Sequence, residues 1–401
     1  MSFLKDKAAE LEYCAAQQKD ICRVAPVISR WRQRGGDMRS LSDTLERLAR
    51  FRTAKSGHAT AATSNLSRLQ RFGSNPGALE AWYHVPEGLA EAPALVVVLH
   101  GCTQNAAGYD HASGWSKLAE DFGFAVLYPE QVHANNPNLC FNWFNLSDIR
   151  RGEGEVHSIR QMVETMIADH GIDRRRVYIT GLSAGGAMAN AALCAYPEIF
   201  AGGAIIAGLP YAAATSVPEA FDRMRGHGIP NPERLQKRLS GASPHRGPWP
   251  TISVWHGTND RTVAEANANA IIAQWSGVHR VPTSPSSVET VDGHKRMAWR
   301  DQSGRDAIEL YLIDAMGHGT PIDVASGYGH TAPYMLDAGI SSTLHIARLW
   351  GLTPSFQRRR ERAAYVKPAR PAHAANRSQS DWQGDIQSVI ERALRSAGLM
   401  R

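Results

Sequence analysis

Apolar residues follow two rhythms along this chain. Short runs rich in Val, Ile, Leu and aromatic side chains occur at 81–85, 94–100, 124–128, 177–180, 203–207 and 251–256. In Leu95-Val96-Val97-Val98-Leu99 no polar residue intervenes, which marks a strand covered on both faces. Between the runs, 115–122, 157–170, 184–195 and 264–275 read as helices. Strands alternating with helices predict an α/β fold, a mostly parallel, doubly wound sheet with helices on both sides. Later strands at 287–291, 295–299 and 308–313 precede a helix at 341–350.

The ends have a different texture. Leu41, Leu45, Leu48 and Phe51 recur at helical spacing behind Ser40, a possible cap, and predict a short helix. The Ala-, Ser- and Thr-rich stretch 53–67 reads as a linker, and the Arg-, Pro- and Ala-rich stretch 355–380 as disordered. Positions 385–397 predict one last helix. The expected organisation is a basic extension over 1–72, a folded domain over 73–354 and a basic tail over 355–401, without internal repeats. Within the domain, 209–250 separates two strands by a Gly- and Pro-punctuated stretch with short helical patterns at 218–224 and 232–239. It has two readings, a cap over a site and a passive surface excursion.

Charge sharpens this division. The formal net charge is +6 and the isoelectric point about 9.1. Residues 1–72 carry 14 basic and 7 acidic side chains, residues 355–401 carry 10 and 4, and the middle carries 20 and 27. The body is therefore net −7 and the basicity belongs to the ends, which argues against a nucleic-acid groove through the domain. Charged residues interrupt the first twenty positions, so no secretory signal pattern is visible, and the longest charge-free window, 199–218, is too rich in Gly and Pro for a membrane span. The five cysteines, Cys14, Cys22, Cys102, Cys140 and Cys194, lack metal-ligand spacing. On these grounds the chain reads as cytoplasmic, in a reducing compartment. Its oligomeric state is left open.

The chemistry concentrates in the acidic body. Gly181-Leu182-Ser183-Ala184-Gly185 lies between a strand and a helix, the context in which G-x-S-x-G forms a nucleophile elbow. That context predicts an acid and then a histidine downstream, each past a strand end. Asp260 in His256-Gly257-Thr258-Asn259-Asp260 and His318 in Met316-Gly317-His318-Gly319 meet the requirement. Asp292 and Asp314 compete for the acid, and His294 and His330 for the base, with poorer position or order. An oxyanion hole is expected from the amides of Cys102, after the strand ending His100-Gly101, and Ala184. A zinc site on His318 and His330 lacks ordered partner ligands. The serine chemistry requires no metal and no cofactor.

With Leu99-His100-Gly101-Cys102-Thr103-Gln104, Cys140-Phe141-Asn142-Trp143-Phe144, the Ser183 elbow, the stretch 255–263 and Gly317-His318-Gly319-Thr320-Pro321, positions 73–352 resemble the poly(3-hydroxybutyrate) depolymerase family of esterases, a branch of the α/β-hydrolases. The resemblance implies Ser183 as nucleophile, His318 as base, Asp260 as its partner, and the Cys102 and Ala184 amides as oxyanion donors. It also implies a Cys102–Cys140 disulfide and an extracellular alternative for the location, as for many relatives. Trp143, Asn142 and Leu182 are expected at the substrate. Only 47 residues follow Pro354, too few for a separate polymer-binding module, which points to soluble short-chain or oligomeric esters. The similarity begins near Arg39, so Met38 is an alternative start. Rival readings are an esterase for feruloyl or acetyl esters of plant polysaccharide, a peptidase on the same scaffold, and a binding protein docking through Arg358-Arg359-Arg360.

Overall fold

The structure, a computed structural model, describes residues 65–354. The helix expected near 41–51, nearly all of the 53–67 linker, the 355–380 stretch and the 385–397 helix lie outside the described residues. Strands β1 (Ser67–Arg68), β2 (Glu80–His84), β3 (Leu95–Leu99), β4 (Ala125–Glu130) and β5 (Val177–Leu182) come first. They are followed by β6 (Gly202–Ile206), β7 (Thr251–Gly257), β8 (Ser287–Val291), β9 (His294–Arg300) and β10 (Asp306–Ile313). All ten join one sheet in the order β1-β2-β4-β3-β5-β6-β7-β10-β9-β8. From β4 to β10 neighbouring strands run parallel, and antiparallel strands close both edges.

The unbroken apolar run of β3 has a direct structural cause. Side chains alternate between sheet faces, so Leu95, Val97 and Leu99 enter one core while Val96 and Val98 enter the other. The first core is roofed by α4 (Gly154–His170), α5 (Ala184–Ala195) and α8 (Ala266–His279), which contribute Met162, Val163, Met188, Leu193 and Trp275. The second lies under α1 (Ala106–Ser113), α2 (Trp115–Phe122) and α9 (Ser342–Leu349), with Tyr109, Trp115, Leu118 and Ile346. Both cores are needed, because a parallel sheet has no face that can be left to water.

Two differences from the sequence reading have physical reasons. The folded unit begins ahead of 73: β1 pairs with β2, and Leu69 and Phe72 are core residues. Helix α1 is not among the elements expected from sequence; Gly108, Asp110, His111 and Ser113 break its apolar rhythm. It starts instead on caps: Asn105 Oδ1 accepts the Gly108 N–H at 2.8 Å, and Glu130 Oε2 accepts the Ala106 N–H at 2.6 Å. The remaining elements are α3 (Leu146–Ile149), α6 (Val217–Met224), α7 (Pro232–Ser240) and a parallel pair, β11 (Thr320–Ile322) and β12 (Met335–Asp337). Among the described residues no helix is long and apolar enough to cross a membrane.

Candidate active site

β5, β6, β7 and β10 are parallel neighbours, so the loops leaving their C-terminal ends emerge at one sheet edge. Ser183, Asp260 and His318 follow β5, β7 and β10 respectively. Ser183 has φ 56° and ψ −114°, in the left-handed half of backbone space that non-glycine residues rarely occupy. Its N–H donates to Ile206 O and its carbonyl accepts from the Ala187 N–H, both at 2.8 Å, so the turn is gripped from both sides. A Cβ on Gly185 would fall 2.4 Å from His100 O, and one on Gly181 2.5 Å from Gly185 C. Both glycines of the elbow are thus required by close approach of α5 to β5 and to the end of β3.

Asp260 and His318 are joined at 2.7 Å between Oδ2 and Nδ1. The Asp260 side chain has no solvent exposure, and that of His318 retains 9%. The other carboxylate oxygen, Oδ1, accepts the N–H groups of Thr262 at 2.8 Å and Val263 at 2.9 Å. Burial alone would raise the Asp260 carboxyl, but the His318 imidazole and these donors outweigh it and hold it below its usual range. A second imidazole, His256, places Nε2 3.7 Å from Asp260 Oδ2 and 2.8 Å from Val263 O. Burial lowers its pKa, so it stands neutral beside the carboxylate. An imidazole whose Nδ1–H is held by a carboxylate exposes Nε2 as a base, the arrangement serine hydrolases use.

The loop after β3 is pinned around Cys102. His100 Nδ1 donates to Gly101 O at 2.8 Å, while its Nε2 accepts the Gln131 N–H at 3.1 Å. Burial depresses this imidazole to about 4, so one tautomer persists. Across a trans peptide the N–H points opposite the C=O, and holding the Gly101 carbonyl therefore aims the Cys102 amide the other way. Gln104 Oε1 accepts the Gly101 N–H at 2.9 Å, and Thr103 N donates to Asn138 O at 2.7 Å. Cys102 and Cys140 form a disulfide, as the resemblance implied. Ala184 opens α5, where the first amides have no intrahelical acceptor.

The three residues expected at the substrate have different surroundings. Trp143 is buried in a cluster with Ala184, Ala187, Leu209, Ala214, Ala220 and Val263, flanked by the disulfide, Phe144 and Met224. Asn142 has both amide atoms engaged: Nδ2 donates to Glu155 Oε1 at 2.8 Å and Oδ1 accepts from Asn136 Nδ2 at 2.9 Å. Glu155 also accepts the Asn142 N–H at 2.8 Å and Gln131 Nε2 at 2.6 Å. Asn142 is therefore tied into its own loop. Leu182 is 1% exposed and lies beneath Gly101.

The 209–250 segment divides in two. Its first half is tied to the site: Ala220 and Met224 of α6 pack in the Trp143 cluster, and the Ala264 N–H donates to Met224 O at 2.7 Å. Its second half packs on α8, with Leu239 of α7 in the first core and Gln236 Nε2 donating to Ala273 O at 3.0 Å. The competitors for the triad are occupied elsewhere. Asp292 meets His345 at 2.8 Å, Asp314 N–H donates to His294 Nδ1 at 3.1 Å, and His330 stacks on His111 with ring centroids 4.9 Å apart. Among the described residues no group of three or more His, Cys, Asp or Glu could hold a metal ion. Sequence reasoning gave no role to His100, His256 or Glu155. Only the two histidines carried a signal, each ending an expected strand directly before a glycine.

Similarity to known proteins agrees with this geometry. The family model for "Esterase PHB depolymerase" matches residues 79–281. Over 292 residues the chain is 44% identical to poly(3-hydroxyalkanoate) depolymerase C of Paucimonas lemoignei, covering 72% of this chain and 70% of that one. It is 30% identical over 275 residues to feruloyl esterase B of Talaromyces stipitatus, covering 66% and 75%. An acetyl xylan esterase structure from Aspergillus awamori superposes with a TM-score of 0.61 at 24% identity, covering 72% of this chain and 99% of that one. The fold is that of the α/β-hydrolases, and the chain is a carboxylic-ester hydrolase belonging to the Esterase PHB depolymerase family.

Proposed function

We propose that Ser183 is the nucleophile, His318 its base and Asp260 the group that orients the imidazole. The observation that carries this reading is the Asp260–His318 bond, at the sheet edge where the strained Ser183 turn emerges. His318 takes the Ser183 proton as the hydroxyl attacks the ester carbonyl, and Asp260 stabilises the resulting imidazolium. The amides of Cys102 and Ala184 hold the oxyanion. The alcohol leaves with the proton from His318, and water, deprotonated by the same imidazole, releases the acid.

The preferred substrates are esters of short-chain hydroxyalkanoates, as oligomers or as polyhydroxybutyrate. The name of the 44% identical relative supports this choice, as do the uncharged side chains of the Trp143 cluster beside Ala184, which suit a neutral acyl chain. The feruloyl esterase relative keeps aromatic esters as the alternative. The Cys102–Cys140 bond favours an extracellular over a cytoplasmic location, because cytosolic thiols are kept reduced. The test is an activity panel of hydroxybutyrate oligomers, solid polymer, feruloyl esters and acetyl esters, with Ser183→Ala as control. Ester turnover falls by several orders of magnitude in that variant, and near-wild-type turnover would overturn the assignment.

A further inference from the structure

We propose that His256 is a positioning residue that holds the Asp260 carboxylate turned toward His318. This rests on the roles proposed above for Asp260 and His318. His256 stands one residue from the end of β7 and pairs in register with Leu312 of β10, the strand that leads to the histidine loop. The loops beyond these two strands are tied together. The Thr258 N–H donates to Ile313 O and the Asn259 N–H to Met316 O, both at 3.0 Å. They also approach closely, for a Cβ on Gly257 would fall 2.3 Å from Met316 O.

The imidazole closes a ring of contacts around the acid. Its side chain has no solvent exposure. Nε2 lies 2.8 Å from Val263 O, and a carbonyl only accepts, so Nε2 carries the proton. The Val263 N–H in turn donates to Asp260 Oδ1 at 2.9 Å. The other carboxylate oxygen, Oδ2, is 2.7 Å from His318 Nδ1 and 3.7 Å from the same His256 Nε2. At that distance the last contact is electrostatic, an N–H dipole beside an anionic oxygen, rather than a hydrogen bond. One side chain therefore anchors the residue whose amide grips Oδ1 and also borders the oxygen that meets His318. Without it, the 260–263 turn keeps its amide donors but loses the anchor that sets their direction.

The other ring nitrogen keeps the two imidazoles from competing. His256 Nδ1 is buried and has no hydrogen-bond partner among the described residues. A second proton there would be a buried N–H without an acceptor on a charged ring, a costly arrangement. The titratable groups that act on the ring are Asp260, His318 and Glu265, and burial outweighs the pull of the two carboxylates. Of the two imidazoles beside Asp260, His318 alone takes up a proton, so the charge of the carboxylate serves one partner.

The experiment uses the full chain and a soluble short-chain ester. His256→Leu removes the donor to Val263 O, and His256→Asn keeps a polar side chain too short to make the same bond. His256→Gln brings an amide N–H near the place of Nε2 and carries no ionisable group. The Leu and Asn variants are expected to lower kcat about tenfold with KM nearly unchanged. The Gln variant should keep most of the rate and leave the acid limb of the kcat/KM profile where it is. Added to Asp260→Asn, His256→Leu should cause no further loss, because it acts through that carboxylate. Melting temperatures are read in parallel, and His256→Asn carries the test if the Leu variant does not fold. Wild-type kcat in the Leu or Asn variant, no recovery in His256→Gln, a displaced acid limb in that variant, or multiplicative losses with Asp260→Asn would each overturn the proposal. Wild-type kcat in His256→Leu beside impaired Asp260→Asn and Ser183→Ala sinks this inference alone, whereas turnover surviving in Ser183→Ala or Asp260→Asn sinks the reading beneath it.

Discussion

Asp260 and His318 meet at 2.7 Å although 58 residues of chain separate them, and the carboxylate is wholly sealed from solvent. A sealed anion beside a single outward-facing imidazole is efficient only while it stays charged. Asp260→Asn preserves shape but favours the wrong imidazole tautomer, and it should lower kcat by about 10⁴ with little change in fold. Steady-state kinetics at neutral pH measures this, and a loss below tenfold contradicts the assigned role.

The same carboxylate sets an acid limit. Its folded pKa lies below the unfolded value, so its native contacts contribute stability above about pH 4. That contribution is lost as pH falls through the lower folded value. Urea midpoints between pH 6 and pH 2.5 should drop steeply in the wild type and less steeply in Asp260→Asn. Parallel curves would show that other carboxylates govern acid unfolding.

Glu155 works in the opposite direction. Burial pushes its carboxyl from 4.5 up to about 8, despite the N–H donors of Asn142 and Gln131. Between those values the unfolded chain releases a proton that the native state keeps. Stability attributable to Glu155 therefore falls as pH rises, at up to about 1.4 kcal/mol per pH unit. The difference in unfolding free energy between wild type and Glu155→Gln, followed from pH 5 to pH 8, should narrow or reverse as pH rises. A constant difference would mean that the carboxylate is ionised throughout.

The Cys102–Cys140 bond closes a separation of 38 residues. Chain entropy alone assigns such a cross-link about 3–4 kcal/mol. Cys140→Ser should lower stability by up to this amount and reduce kcat more than it raises KM, because the freed loop carries the proposed oxyanion donor. Thiol titration of the denatured, unreduced protein should find no more than three reactive thiols among its five cysteines; five would contradict the bond.

Trp143 shares a buried cluster with Ala184. Trp143→Ala should cost about 3–5 kcal/mol of stability and relax discrimination among acyl chains. Comparing kcat/KM for acetyl, butyryl and hydroxybutyryl esters tests this, and an unchanged ratio removes Trp143 from the substrate wall.

The sheet was legible because its central strands are buried on both faces, leaving apolar runs with nothing to confuse them. The candidate triad was visible because Ser183, Asp260 and His318 each follow such a run. What escaped depends on contacts distant in sequence. Glu155 looks like an ordinary helix carboxylate until Asn142 and Gln131 fold onto it. Asn142, beside Trp143 in the same motif, gave no sign in sequence that Asn136 and Glu155 bind its amide.

Every residue of α5 is buried, from Ala184 to Ala195. A helix enclosed on all sides cannot be released by local opening, so its amides should exchange with solvent only when the whole sheet separates. Heat inactivation at the serine and global unfolding then become a single event. Apart from Ala220, Leu235 and Leu239, the α6–α7 segment is exposed or half-exposed and lies outside that centre. The turn that carries Ser183 is thus anchored to the last part of the molecule to open, while the α6–α7 segment is free to open earlier.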